Sequence, residues 1–253
     1  MSWAFLKNSI LWVLLVFLLC NCTLKPKPKT PTRLYLASSL LPLKNSLEAL
    51  APRELELELL FLSSSMIAQQ VANGAPCDAL ILADREWQEY LIKKHAGFSS
   101  TKILATNTLV LAGLKPEKKS FAQIINNLQG PRQLIIADPA FVPLGRYSEQ
   151  ALRSSGLWEQ VQGKFLSAHS AHNARVLLTQ GVAPYALLFR SDIRAQGPLY
   201  QIATLDARLH KPVNYIFMAC KSTMQSEALE TMLFSPEFKA ELIKHNFGLP
   251  HEP

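Results

Sequence analysis

Glycine is scarce in this 253-residue chain, with 10 in all, and none falls in a GxGxxG pattern or a Walker loop. Their absence excludes the two common glycine-rich phosphate cradles. There is no GxSxG elbow, so the nucleophile signature of the α/β-hydrolases is missing too. Cysteine is rarer still: of the four, Cys20 and Cys22 close an N-terminal apolar stretch, leaving Cys77 and Cys220 for the rest. Their spacing builds neither a CxxC nor a zinc pattern, and it leaves open whether they pair. Charged residues make up only 18%, and the net charge of +7 comes from basic residues spread thinly, without interleaved aromatics. A base-stacking surface for nucleic acid is therefore not expected.

A long apolar run is lacking as well. Lys7 precedes the unbroken stretch Ile10 to Cys20, which has the length of a signal-peptide core and is too short to cross a bilayer. Residues 1–22 are thus expected to direct export. LCNC, ending in Cys22, resembles a bacterial lipoprotein signal, with Cys22 rather than Cys20 the candidate for lipidation, although Asn21 and Leu19 depart from the usual small residue. An uncleaved anchor or plain secretion are the alternatives. KPKPKTP, within residues 23–32, suits an extended tether.

What is present is an alternation of short apolar runs with amphipathic stretches. RLYLASS, LELELLFL (Leu55 to Leu62, covered on both faces toward its end) and ALILA (Ala79 to Ala83) are expected as strands, with helices over Leu43 to Leu50, from Ile67 to Val71, and over Arg85 to His95. After the proline-bearing KPEKKS (Lys115 to Ser120), a candidate boundary, the alternation begins again. It brings QLIIADP, helices near Ser148 to Ser154 and Asn173 to Gln180, the strand YALLF and the strand VNYIFMA. A final helix, SPEFKAELIKHNFG, opens with Ser235 and Pro236 and is expected to close at Gly248. The class is α/β, with two lobes and a cleft where strand ends and helix starts converge.

Three serines, Ser63 to Ser65, fall at one such edge, and Ser39 falls at another. A helix cap needs one side-chain oxygen. The others are turn residues, or donors for an anion held without formal positive charge. The HxxH pair His169 and His172 offers two nitrogens and no evident third ligand, so two solvated imidazoles on a loop explain it as well as a metal does.

Three ordered segments, Ser63 to Leu91, ADPAFVPLGRYSEQAL (Ala137 to Leu152) and APYALLFRSDI (Ala183 to Ile193), together resemble the periplasmic molybdate-binding proteins of ABC importers. The resemblance covers about Arg33 to Gly248. It implies a two-lobed periplasmic-binding-protein fold of type II, each lobe a mixed, mostly parallel sheet flanked by helices. Residues 33–110 and 210–253 would form lobe 1, and 111–209 lobe 2. It implies a non-enzymatic, monomeric receptor without cofactor, in the periplasm or otherwise outside the cytoplasm. Such a receptor takes molybdate or tungstate and delivers it to a membrane permease and its ATPase. The alternatives are another anion, such as sulfate or a small organic anion, or an enzyme or partner module on the same fold. Carried over by motif, Ser39 and Ser64 supply hydroxyls, Leu144 and Ala171 backbone N–H groups, and Phe189 stands where the family has a ligand-binding tyrosine. A phenyl ring cannot donate a hydrogen bond. Tyr185, His172 or Arg190 are candidates to replace it, and Asp138 is the carboxylate expected nearby.

Overall fold

The structure, a computed structural model, describes residues 31–94, 97–194 and 197–250. The expected leader, Cys22 and most of the tether lie outside these residues. The first strand begins at Thr32, a residue assigned to the tether on sequence grounds.

Two five-stranded sheets share one strand order. The first contains β1 (Thr32–Ala37), β2 (Leu57–Leu62), β3 (Ala79–Leu82), β4 (Ser100–Asn107) and, from the far end of the chain, β10 (Val213–Ala219), in the order β2-β1-β3-β10-β4. The second contains β5 (Leu109–Gly113), β6 (Leu134–Ala137), β7 (Phe165–Ala168), β8 (Tyr185–Phe189) and β9 (Tyr200–Thr204), in the order β7-β6-β8-β5-β9. In the first sheet β10 alone runs against its neighbours, and in the second β5 does. The chain path gives the reason. β4 ends facing the other sheet, so the chain enters β5 from the shared side and must run back; β9 does the same to β10. The sheet changes at Thr108 and again between Thr204 and Val213. KPEKKS marks no boundary: it connects β5 to a helix of the second lobe.

Helices cover both sheets: α1 (Lys44–Leu50), α2 (Ser64–Ala72), α3 (Arg85–Lys94), α4 (Phe121–Asn126), α5 (Pro143–Ser154), α6 (Trp158–Val161), α7 (Ala171–Thr179), α8 (Met224–Leu233) and α9 (Pro236–Lys244). A 3₁₀ turn, Ser38–Leu43, leads into α1. The strand period of two sorts the core. Leu34, Leu36, Ile81 and Phe217 face one side of the first sheet, and Tyr35, Leu80, Leu82 and Met218 face the other, against Ile67 and Val71 of α2. β3 and β6 are buried throughout, as central strands covered on both faces must be. β2 is an edge strand, half-buried along its whole length, so its apolar end is not covered on both faces as expected.

Helix ends show where sequence signals mislead. α5 starts at Pro143 and α7 at Ala171, both earlier than periodicity suggests. α9 is not closed by Gly248. Asn246 takes the left-handed conformation (φ 62°), and the N–H of Phe247 bonds back to Leu242 O at 3.0 Å. Gly248 instead pairs with Thr106 of β4, where a Cβ would stand 2.3 Å from the Thr106 hydroxyl. Asn246 Nδ2 also donates to Ile193 O, beyond β8, at 2.7 Å. Cys77 and Cys220 form a disulfide, joining the turn before β3 to the residue after β10.

Candidate functional site

The serine triplet divides its work. Ser63 caps α2, its hydroxyl accepting from Met66 N at 3.3 Å and lying 2.9 Å from the Ser65 hydroxyl. Ser64 Oγ accepts from Ala83 N, just after β3, at 3.0 Å. All three are buried, and no acceptor among the described residues takes the Ser64 hydrogen. Ser39, in the 3₁₀ turn after β1, follows the same rule. Its oxygen accepts from Tyr215 Oη at 2.9 Å, and its own hydrogen meets no acceptor among the described residues.

The second lobe offers backbone instead. Val142 provides no side-chain cap for α5, so the N–H groups of Leu144 and Gly145, in the first turn and buried, have no intrahelical partner. Gly145 is required there. A Cβ would lie 2.0 Å from Ala137 O, because the helix start sits directly on the end of β6. Ala171 is the first residue of α7, which Ser170 caps through Asn173 N at 3.0 Å. α7 packs against the 3₁₀ turn that carries Ser39.

Phe189 lies between two tyrosines, its ring centroid 6.3 Å from Tyr215 and 6.5 Å from Tyr147. Tyr147 Oη donates to Ala83 O at 3.2 Å. Contacts therefore run from Ser39 through Tyr215, Phe189, Tyr147 and Ala83 to Ser64, joining both lobes. Leu144 precedes Tyr147 by one turn of α5, and Ala171 opens the helix that packs against the turn carrying Ser39. Tyr185 does not join it: it lies at the opposite end of β8 and donates to Glu117 at 2.8 Å. Arg190 is exposed. His172 is half-buried, and burial together with Arg175 and Arg194 holds its pKa below the usual value.

Carboxylates are placed differently from the sequence expectation. Asp138 turns to its own loop, accepting from Ala140 N at 2.9 Å. The one beside Phe189 is Asp192, fully buried, which accepts from Phe189 N at 3.2 Å and is pushed up to about 7 by burial despite Arg175. Asp84 caps α3 through Trp87 N and meets Arg146 of α5 at 2.9 Å across the lobes. Burial outweighs that cation and raises its pKa to about 6. Arg146 also reaches Glu86 at 2.7 Å, clasping the lobes together. The crevice beside this clasp, about 390 Å³, is lined by Asp84, Glu86 and Glu89 and equally by Arg85, Arg146 and Lys211. Among the described residues, no group of three His, Cys, Asp or Glu side chains could hold a metal ion.

Two lobes of equal strand order, joined by two crossings and packed against each other, define the fold of a two-lobed solute-binding protein. The family model described as "Bacterial extracellular solute-binding protein" matches residues 45–248. This chain belongs to that family. Molybdate-binding protein ModA of Haemophilus influenzae is 30% identical over 196 residues, 74% of this chain and 76% of the relative. ModA of Escherichia coli is 32% identical over 162 residues, 61% and 63% of the two chains. Among solved structures, the periplasmic molybdate-binding protein of Azotobacter vinelandii has a TM-score of 0.75 at 22% identity, over 87% of this chain and 100% of that one. The sulfate-binding protein SubI of Mycobacterium tuberculosis gives 0.67 at 12% identity, over 86% and 85%. These two structures bear on the fold.

Proposed function

We infer that this chain is a non-enzymatic receptor that captures molybdate or tungstate outside the cytoplasm and presents it to the permease and ATPase of an ABC importer. The observation that carries this reading is the state of Ser39 and Ser64: each buried hydroxyl already accepts a bond and has its hydrogen left to give. Such a site suits an anion that only accepts. Molybdate, tungstate and sulfate meet that condition, whereas phosphate near neutral pH carries a proton needing an acceptor. The two molybdate-binding relatives favour molybdate over sulfate. Ser39 and Ser64 from lobe 1, and Leu144 and Ala171 N–H from lobe 2, are the donors, with Phe189 forming an apolar wall. Lobe 1 comprises 32–107 and 213–250 and lobe 2 comprises 109–204, so Leu109 and Val110, expected in lobe 1, go with the second sheet. Ligand contact with both lobes favours the closed form.

The Cys77–Cys220 disulfide supports an oxidising compartment, in line with export. Lipidation at Cys22 would tether the monomer to the membrane, and incorporation of labelled fatty acid, lost on Cys22→Ser, tests it. For the ligand, the experiment is a thermal-shift panel of molybdate, tungstate and sulfate. At a hundredfold excess over Kd, binding adds about 2.7 kcal/mol, or very roughly 5–10 °C in Tm. No shift at millimolar anion overturns the reading.

A further inference from the structure

We propose that Tyr215, oriented by Asn107, is a positioning residue that fixes the polarity of the Ser39 hydroxyl and so makes the site reject oxyanions that carry a proton. This rests on the reading of Ser39 as an anion ligand. It adds two residues that do not touch the anion, and a cause for the selectivity.

The hydrogen bonds can be assigned in sequence, each by the one before. Asn107 Oδ1 faces two backbone N–H groups, Thr108 at 2.9 Å and Ser191 at 3.4 Å. An N–H only donates, so the oxygen must be on that side and the amide orientation is settled. Nδ2 then gives its hydrogens to Ser191 Oγ at 2.9 Å and to Tyr215 Oη at 3.2 Å. With its oxygen accepting, the phenol directs its single hydrogen to Ser39 Oγ at 2.9 Å. Tyr215 is wholly buried, which raises its pKa and keeps that hydrogen in place. Ser39 is therefore an acceptor toward Tyr215 and a donor toward the site. Reversing it would set an Asn107 hydrogen against the phenol hydrogen.

Asn107 ends β4, next to the residue where the chain changes sheet, and Ser191 belongs to the second lobe. The hydrogen-bonded series thus includes one bond to the second lobe, beside the crossing between the sheets.

The test is competition in the full chain at mildly alkaline pH, where phosphate still bears one proton: molybdate is bound first and phosphate is titrated in. Failure of the wild-type protein to bind molybdate or tungstate would sink the proposed function itself, a result distinct from any change in anion preference among the variants. In Tyr215→Phe, Ser39 regains a free lone pair. Molybdate affinity should fall about tenfold, the size of one hydrogen bond, and the phosphate-to-molybdate ratio at half displacement should fall by at least as much. A packing role would weaken both anions alike and leave the ratio unchanged. Asn107→Ala lets the phenol turn round, so it should narrow the ratio in the same direction by a smaller factor, and it carries the test should Tyr215→Phe fail to fold. An unchanged ratio in every folded variant overturns the proposal.

Discussion

The two lobes repeat one strand order, but the donors proposed for the anion are prepared in them by different means. Lobe 1 uses hydroxyls, which rotate freely until something accepts or donates to them, so each is tied: Ser64 by Ala83 N and Ser39 by Tyr215. Lobe 2 uses N–H groups at helix starts, whose direction the helix already sets. Its requirement is close approach, and Gly145 on the end of β6 meets it. Lobe 1 is accordingly sensitive to side-chain chemistry, and lobe 2 to backbone position.

Four changes would break or sharpen this contrast. The largest concerns the disulfide, which lobe 1 has and which spans 143 residues. In the chain-entropy description, losing it costs about 5 kcal/mol, or roughly 10–20 °C in Tm. Calorimetry of Cys77→Ser should show that drop, and an unchanged Tm would mean the unfolded chain is not restrained by it. Next is Ser64→Ala, which deletes a hydroxyl and strands a buried N–H. Titration should show molybdate affinity lower by about one to two decades, the value of a hydrogen bond to a charged group. Retained affinity would remove Ser64 from the site.

The third change addresses Asp192 in lobe 2. Its folded pKa, pushed up to about 7, exceeds the unfolded value, about 4. The folded chain therefore holds a proton that the unfolded chain releases. The associated stability is full below about pH 4 and is lost as pH rises through about 7. Asp192→Asn should flatten Tm against pH over that window and be a few degrees more stable than wild type at its upper end. Parallel curves would show that Arg175 compensates the ionised form. The smallest effect is expected from Phe189→Tyr, which gives lobe 2 a hydroxyl of its own and makes the lobes more alike. A rise in affinity of several-fold to about tenfold is expected. Weaker binding would show that the packed space between Tyr147 and Tyr215 has no room for the oxygen.

Central strands are legible in the sequence because burial on both faces requires continuous apolar runs: ALIL, LIIA, YALLF and VNYIFMA announce themselves. β4, β7 and β9 do not, because all three are edge strands with half-exposed, mixed residues and no such run. The pairing of β10 with β3 and β4 brings together residues far apart in the chain, which no local pattern encodes. The site divides the same way. Ser39 and Ser64 can be placed because they follow apolar strands. Tyr215 cannot, since it meets Ser39 across 176 positions, and in sequence it reads as another core aromatic of β10. Asp192 escapes local reasoning because its burial is created by the fold around Phe189. Tyr185 is a natural local replacement for the absent phenol, yet β8 carries that side chain to the wrong end of the sheet.

The last turn of the chain has a mechanical consequence. Beyond α9, Gly248 zips onto Thr106 next to the first sheet change, while the Asn246 side chain grips Ile193 in the second lobe. The lobes are therefore laced by a third, non-covalent thread in addition to the two covalent crossings. Trimming that thread removes a tie between the lobes that lies apart from the residues proposed to hold the anion.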